Sequence, residues 1–60
     1  MKVDLDFVLV RPAKKSGGDR YEHGVEKTPE HMVLYLPQTY SRPMGTPLPE
    51  LTVTLANVKK

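Results

Sequence analysis

The groups able to move protons, hold metals or attack carbon are few, and several fall in one short stretch. His23, Glu26, Glu30 and His31 lie within nine residues. Imidazole and carboxylate are both zinc ligands, but seven intervening residues between the histidines match neither the i, i+4 pair of a helix nor a zinc-knuckle spacing. Solvent-facing positions at strand ends account for both histidines, and no metal is expected. Nucleophilic catalysis would need Ser16 or Ser41, each in a turn-rich stretch, held against a histidine and a carboxylate. A chain of 60 residues has little scaffold to spare for such a constellation, so no enzymatic activity, small-molecule substrate or cofactor is expected. The absence of cysteine removes thiol nucleophiles, thiolate metal sites and disulfides together. Asp4 and Asp6 share one strand parity and could pass for paired carboxylates, but a solvated outer face explains them and such charges also blunt a sheet edge. Ser16-Gly17-Gly18-Asp19 is not a phosphate loop, which needs GxxxxGK[ST] opening a helix, and no helical pattern follows.

Non-covalent recognition has better material. Lys14, Lys15 and Arg20 flank the Gly17-Gly18 turn, Arg42 sits in a later loop, and Lys59 and Lys60 end the chain. Tyr21, Tyr35 and Tyr40 are interleaved with them. Single-strand binders combine a basic groove with aromatic rings, because phosphates need countercharge and unstacked bases need a flat face. The expected function is therefore non-catalytic binding of single-stranded nucleic acid, tolerant of sequence. Lys14, Lys15, Arg20 and Arg42 would hold phosphates, and Tyr35 and Tyr40 would stack bases. The net charge of +2 is small for this role, although the pI of about 9.1 passes the usual mark. The alternative is a protein-interaction or assembly module that completes its core on a partner. Val8, Val10, Val33 and Tyr35 are apolar on the parity that should face water, which predicts an interface and a homo-oligomer, dimer or larger. The two readings part on one feature. Convergence of the basic side chains with Tyr35 or Tyr40 favours nucleic acid, whereas an uncharged patch of Val8, Val10, Val33 and Tyr35 favours an interface.

The elements that must position these residues are strands. Lys2 to Arg11, KVDLDFVLVR, alternates with period two: Val3, Leu5, Phe7 and Leu9 on one face, Lys2, Asp4 and Asp6 on the other. Pro12 stops it, and residues 13–19 form a mobile basic hairpin tip. A polar strand follows over Arg20 to Glu26, with Tyr21, His23 and Val25 on one face. Lys27-Thr28-Pro29-Glu30 turns the chain. His31 to Leu36, HMVLYL, is a third strand, apolar on both faces. Residues 37–50 carry four of the six prolines and make a long connection anchored by Tyr40, Met44 and Leu48. Glu50 to Ala56, ELTVTLA, is a fourth strand with Leu51, Val53 and Leu55 inward.

Four strands, hairpin turns and no helix predict one all-β domain over residues 1–60: a four- to five-stranded curved antiparallel sheet, as a meander or a partly open barrel of SH3-like or OB-like architecture. Its core would be Val3, Leu5, Phe7, Leu9, Tyr21, Val25, Met32, Leu34, Leu36, Leu51, Val53 and Leu55. A chain this short buries only about 60% of its unfolded surface, so association would help it. No apolar run approaches the ~20 residues of a membrane span, and no secretory or lipidation pattern is visible. With the absence of cysteine, this predicts an intracellular, cytoplasmic setting without membrane contact.

Overall fold

A computed structural model describes residues 2–57. The elements are β1 (Lys2–Arg11), β2 (Gly18–His23), β3 (Met32–Pro37), α1 (Gln38–Ser41) and β4 (Glu50–Ala56). The strands form one antiparallel sheet in the order β3-β2-β1-β4. Three hairpin-connected strands with a fourth returning beside the first is Greek-key order, not the simple meander. The sheet curls into a half-barrel, so the all-β expectation holds.

β1 is the strand that both halves share. Its Lys2–Val8 stretch pairs with Ala56–Glu50 of β4, while Val8, Leu9 and Arg11 pair with Glu22, Tyr21 and Arg20 of β2. A register shift between Leu9 and Arg11 leaves Val10 as the extra residue. A bulge of this kind bends a strand and increases its twist, and here it lies just before Pro12.

β1 and β4 keep the limits that their alternation predicts. β2 starts earlier and stops sooner, at His23. The chain then turns at once, with Gly24 at φ 81° and Lys27 at φ 71°. Val25 therefore leaves the sheet and is 70% exposed instead of buried. Gly24 suits the sharp exit, since a Cβ there would sit 2.9 Å from the Glu30 carbonyl oxygen. β3 runs one residue later than predicted. α1 is a single helical turn inside a connection expected to contain no helix.

The inner face carries Val3, Leu5, Phe7 and Leu9 of β1 beside Leu55, Val53 and Leu51 of β4 and Tyr21 of β2. Across β2 and β3 it continues through the pairs Tyr21–Leu34, Asp19–Leu36 and His23–Met32. The residues from 41 to 49 cover its middle: Leu48 N donates to Ser41 O at 2.8 Å, Leu9 N to Pro49 O at 2.9 Å, and the Tyr21 hydroxyl to Leu48 O at 2.7 Å. Among the described residues, only Phe7 and Tyr21 are buried apolar side chains. Val3, Met32 and Leu55, expected in the core, are exposed at its ends. The reason is topological: among the described residues β4 packs against no element but β1, and β3 against only β2 and α1, so no element overlies the outer ends of the half-barrel. The chain measures 36 × 32 × 16 Å with a radius of gyration of 12.6 Å, against about 10 Å for a compact domain of its length. No helix among the described residues is long and apolar enough to cross a membrane.

Candidate nucleic-acid interface

The loop between β1 and β2 carries Lys14 and Lys15, and a buried carboxylate fixes it. Asp19 lies on the inner face of β2 and has no exposed surface. Its Oδ1 accepts from Ala13 N at 2.7 Å and from Arg42 Nη2 at 2.8 Å. Its Oδ2 accepts from Arg42 Nε at 3.1 Å and from the buried Ser41 hydroxyl. Arg42 Nη2 also donates to Ala13 O at 3.0 Å. One carboxylate thus ties the loop to β2, to α1 and to the residue after α1. The Arg42 guanidinium above all, then the Ser41 hydroxyl and the Ala13 N–H, holds the Asp19 carboxyl well below the usual carboxylate range, against the opposing effect of burial. The same pairing raises Arg42 above its ordinary value.

Arg42 is therefore not the free phosphate ligand that its place in a loop suggested. Its planar fork is committed to a buried partner, the geometry in which arginine and carboxylate match two bonds to two. The 13–19 tip is also bonded to α1. Gln38, at the start of α1, donates from Nε2 to Lys15 O and to Gly17 O, both at 3.0 Å. Gly17 takes φ 99°, which favours glycine.

These ties shape an open groove of about 520 Å³ between the loop, the end of β3 and α1. Lys15, Gly18, Tyr35, Gln38 and Thr39 are among its lining residues. Gly18 is needed where β2 meets β3, since a Cβ there would lie 3.0 Å from the Tyr35 carbonyl carbon. The Tyr35 side chain stands on the outer face of the sheet and is 56% exposed. The Arg20 guanidinium carbon lies 5.8 Å from its ring centroid, and Arg20 Nη1 donates to the Tyr35 hydroxyl at 3.2 Å. Arg20 Nε also bonds Glu22 Oε2 at 3.1 Å.

Arg11 is the β1 register partner of Arg20, so it too marks this end of the outer face. The far end is acidic: Asp4 and Asp6 face Thr54 and Thr52 of β4 and accept their hydroxyl bonds at 2.7 and 3.0 Å. The outer face is thus basic and aromatic at the groove and acidic away from it.

Of the six residues expected to bind, Lys15, Arg20 and Tyr35 come together, with Lys14 exposed on the same loop. Tyr40 is 69% exposed on α1 but does not line the groove. Arg42 is withdrawn to Asp19. Lys59 and Lys60 lie outside the described residues. Val8, Val10, Val33 and Tyr35 are all exposed, but they do not form an uncharged patch. Val8 sits between Glu50 and Glu22 in register, Val33 is opposite Glu22, and Tyr35 is opposite Arg20.

The histidines are engaged with the sheet. His23 Nδ1 is 2.6 Å from Asp6 O, and its ring packs at 5.5 Å from Phe7. His31 Nε2 is 2.9 Å from Glu22 Oε1 and is the main cause of the lowered Glu22 carboxyl.

The sequence does not mark Arg11, Gln38 or Thr39 as site residues. Arg11 ends a strand that reads as core. Gln38 and Thr39 reach the groove only because α1 turns back on the loop. Comparison with family models, with curated proteins and with solved structures found no match to this chain.

Proposed function

We propose that this chain binds single-stranded nucleic acid without catalysis, in the groove between the 13–18 loop and Tyr35. The observation that carries the reading is Tyr35: an exposed ring with the Arg20 guanidinium carbon 5.8 Å from its centroid, forming part of a groove that Lys15 also lines. A base stacks on the ring, and Lys15, Lys14 and Arg11 accompany the backbone with positive charge. Aromatic stacking is tolerant of base identity because every base has a π-face. Arg20 holds the ring and adds charge beside it. The acidic far end, with Asp4 and Asp6, repels a strand laid the other way and confines the footprint to a few nucleotides.

The test is a fluorescence-anisotropy titration against a labelled single-stranded oligonucleotide at low and moderate salt. The expected result is binding that weakens with salt, with a log–log slope of about −2 for three neutralised phosphates. Absence of binding at tens of micromolar protein in low salt overturns the reading.

A further inference from the structure

We propose that two copies of this chain associate by antiparallel pairing of their β4 strands about a two-fold axis at Val53. β4 is an edge strand: among the described residues β1 lies on one side and no element on the other. An edge offers a row of backbone donors and acceptors to any chain able to pair with it, and proteins usually guard such edges with lysine, proline, bulges or inward charges. From Leu51 to Ala56 there is no charge, no proline and no glycine, and the β1–β4 register runs through seven pairs without a shift. β3, the opposite edge, differs: it ends in Pro37 and α1 packs against it.

The sequence of β4 identifies the partner as a second copy. Leu51-Thr52-Val53-Thr54-Leu55 reads the same in both directions. In an antiparallel pair centred on Val53, Leu51 meets Leu55 of the other copy, Thr52 meets Thr54, and Val53 meets its own counterpart. Every facing pair is then like with like, and cross-strand threonine pairs are favourable. Glu50, the one charge in the strand, faces Ala56, so no like charges are opposed. Because residues of odd number share one face, the two inner faces join into one. Leu55, 53% exposed in the single chain, gains Leu51 of the second copy as its neighbour.

The chain as a whole carries surface for association to cover. The chain exposes 5020 Å², about 1,000 Å² more than a compact monomer of its mass, and a standard interface buries about 800 Å² per partner. A two-fold contact is isologous: each β4 edge is used up by the other, so this contact closes at the dimer and does not propagate.

Charge placement at positions 52 and 54 tests both the contact and its register. Both side chains are on the exposed outer face beside Asp6 and Asp4, so lysines there are compatible with the fold, which circular dichroism checks. Sedimentation equilibrium without nucleic acid is expected to give wild type about twice the 6.8 kDa chain mass at tens of micromolar. The T52K/T54K variant opposes like charges twice and should dissociate roughly tenfold or more readily. The D4N/T52K/T54E variant, with Asp4 neutralised because it faces position 54 across β1 and β4, opposes unlike charges twice in the proposed register and should remain dimeric. A monomeric wild type, an undiminished T52K/T54K dimer, or a D4N/T52K/T54E variant as monomeric as T52K/T54K each overturns the proposal. None of these outcomes depends on whether the groove binds a nucleic acid.

Discussion

Arg42 grips the buried Asp19 carboxylate with two nitrogens, Nη2 to Oδ1 at 2.8 Å and Nε to Oδ2 at 3.1 Å. The two residues stand 23 positions apart in the chain, so this one contact fastens the connection after β3 to the start of β2. It also ties the loop to α1, the two segments that flank the groove, because Ala13 and Ser41 share the same carboxylate.

Replacing Arg42 by alanine leaves that carboxylate buried without its cation, a change that is strongly destabilising whereas replacing a whole pair is not. In a domain of this size the thermal midpoint should fall by about 10 °C or more. The Arg42→Lys variant loses the fork and should recover only part of the loss. Thermal unfolding followed by circular dichroism reads both.

Acid should unfold the chain along the same route. The folded Asp19 carboxyl lies below its unfolded value of 3.8, and Glu22 is likewise lowered from 4.5. A lowered carboxyl contributes stability that is complete above the unfolded value and is lost as pH falls toward the folded one. The midpoint should therefore be nearly flat above about pH 5 and drop steadily below about pH 4. Asp19→Asn should lower the midpoint at neutral pH and flatten the acid limb.

Tyr35→Ala should weaken single-strand binding by about 5- to 150-fold, the equivalent of ~1–3 kcal/mol for one lost stacking platform. Its effect on unfolding should be slight, since the side chain is more than half exposed. Tyr35→Phe keeps the ring and should bind nearly as wild type. Anisotropy titrations of the three proteins at one salt concentration measure the order.

Changing Lys14 and Lys15 together to alanine should weaken binding at low salt and reduce the salt slope by about 1.4, two single-strand contacts at about 0.7 each. Unchanged affinity and slope would remove the loop from the contact. Arg42→Gln, by contrast, should act on stability and not on the slope of whatever fraction remains folded.

Gly18→Ala places a Cβ 3.0 Å from the Tyr35 carbonyl carbon and 3.1 Å from Leu36 O, both backbone atoms of the neighbouring strand. β2 and β3 must part to admit it, at about 1–3 kcal/mol. Chemical denaturation should show the loss, with Gly45→Ala as a contrast whose φ of 92° strains the backbone in open space.

The sequence by itself determined the strands of this protein, because period-two alternation is a local property. Val3, Leu5, Phe7 and Leu9 can share a face only in extended chain, and the same holds for Leu51, Val53 and Leu55, so β1 and β4 keep their predicted limits. It also determined the basic loop and the aromatic residue near it, since Lys15 and Arg20 flank the turn that Gly17 marks and Tyr35 lies just before Pro37. What only the tertiary structure decided is how those local pieces are spent. Whether Arg42 meets a phosphate or an internal carboxylate depends on where Asp19 lies, and 23 residues separate them. Val25 reads as core until the chain turns at Gly24 and takes it out of the sheet. Val3 and Leu55 alternate as buried residues do, yet burial also needs something on top, and strand order leaves β4 with a single neighbour. Alternation fixes which way a side chain points; topology alone fixes what it meets there.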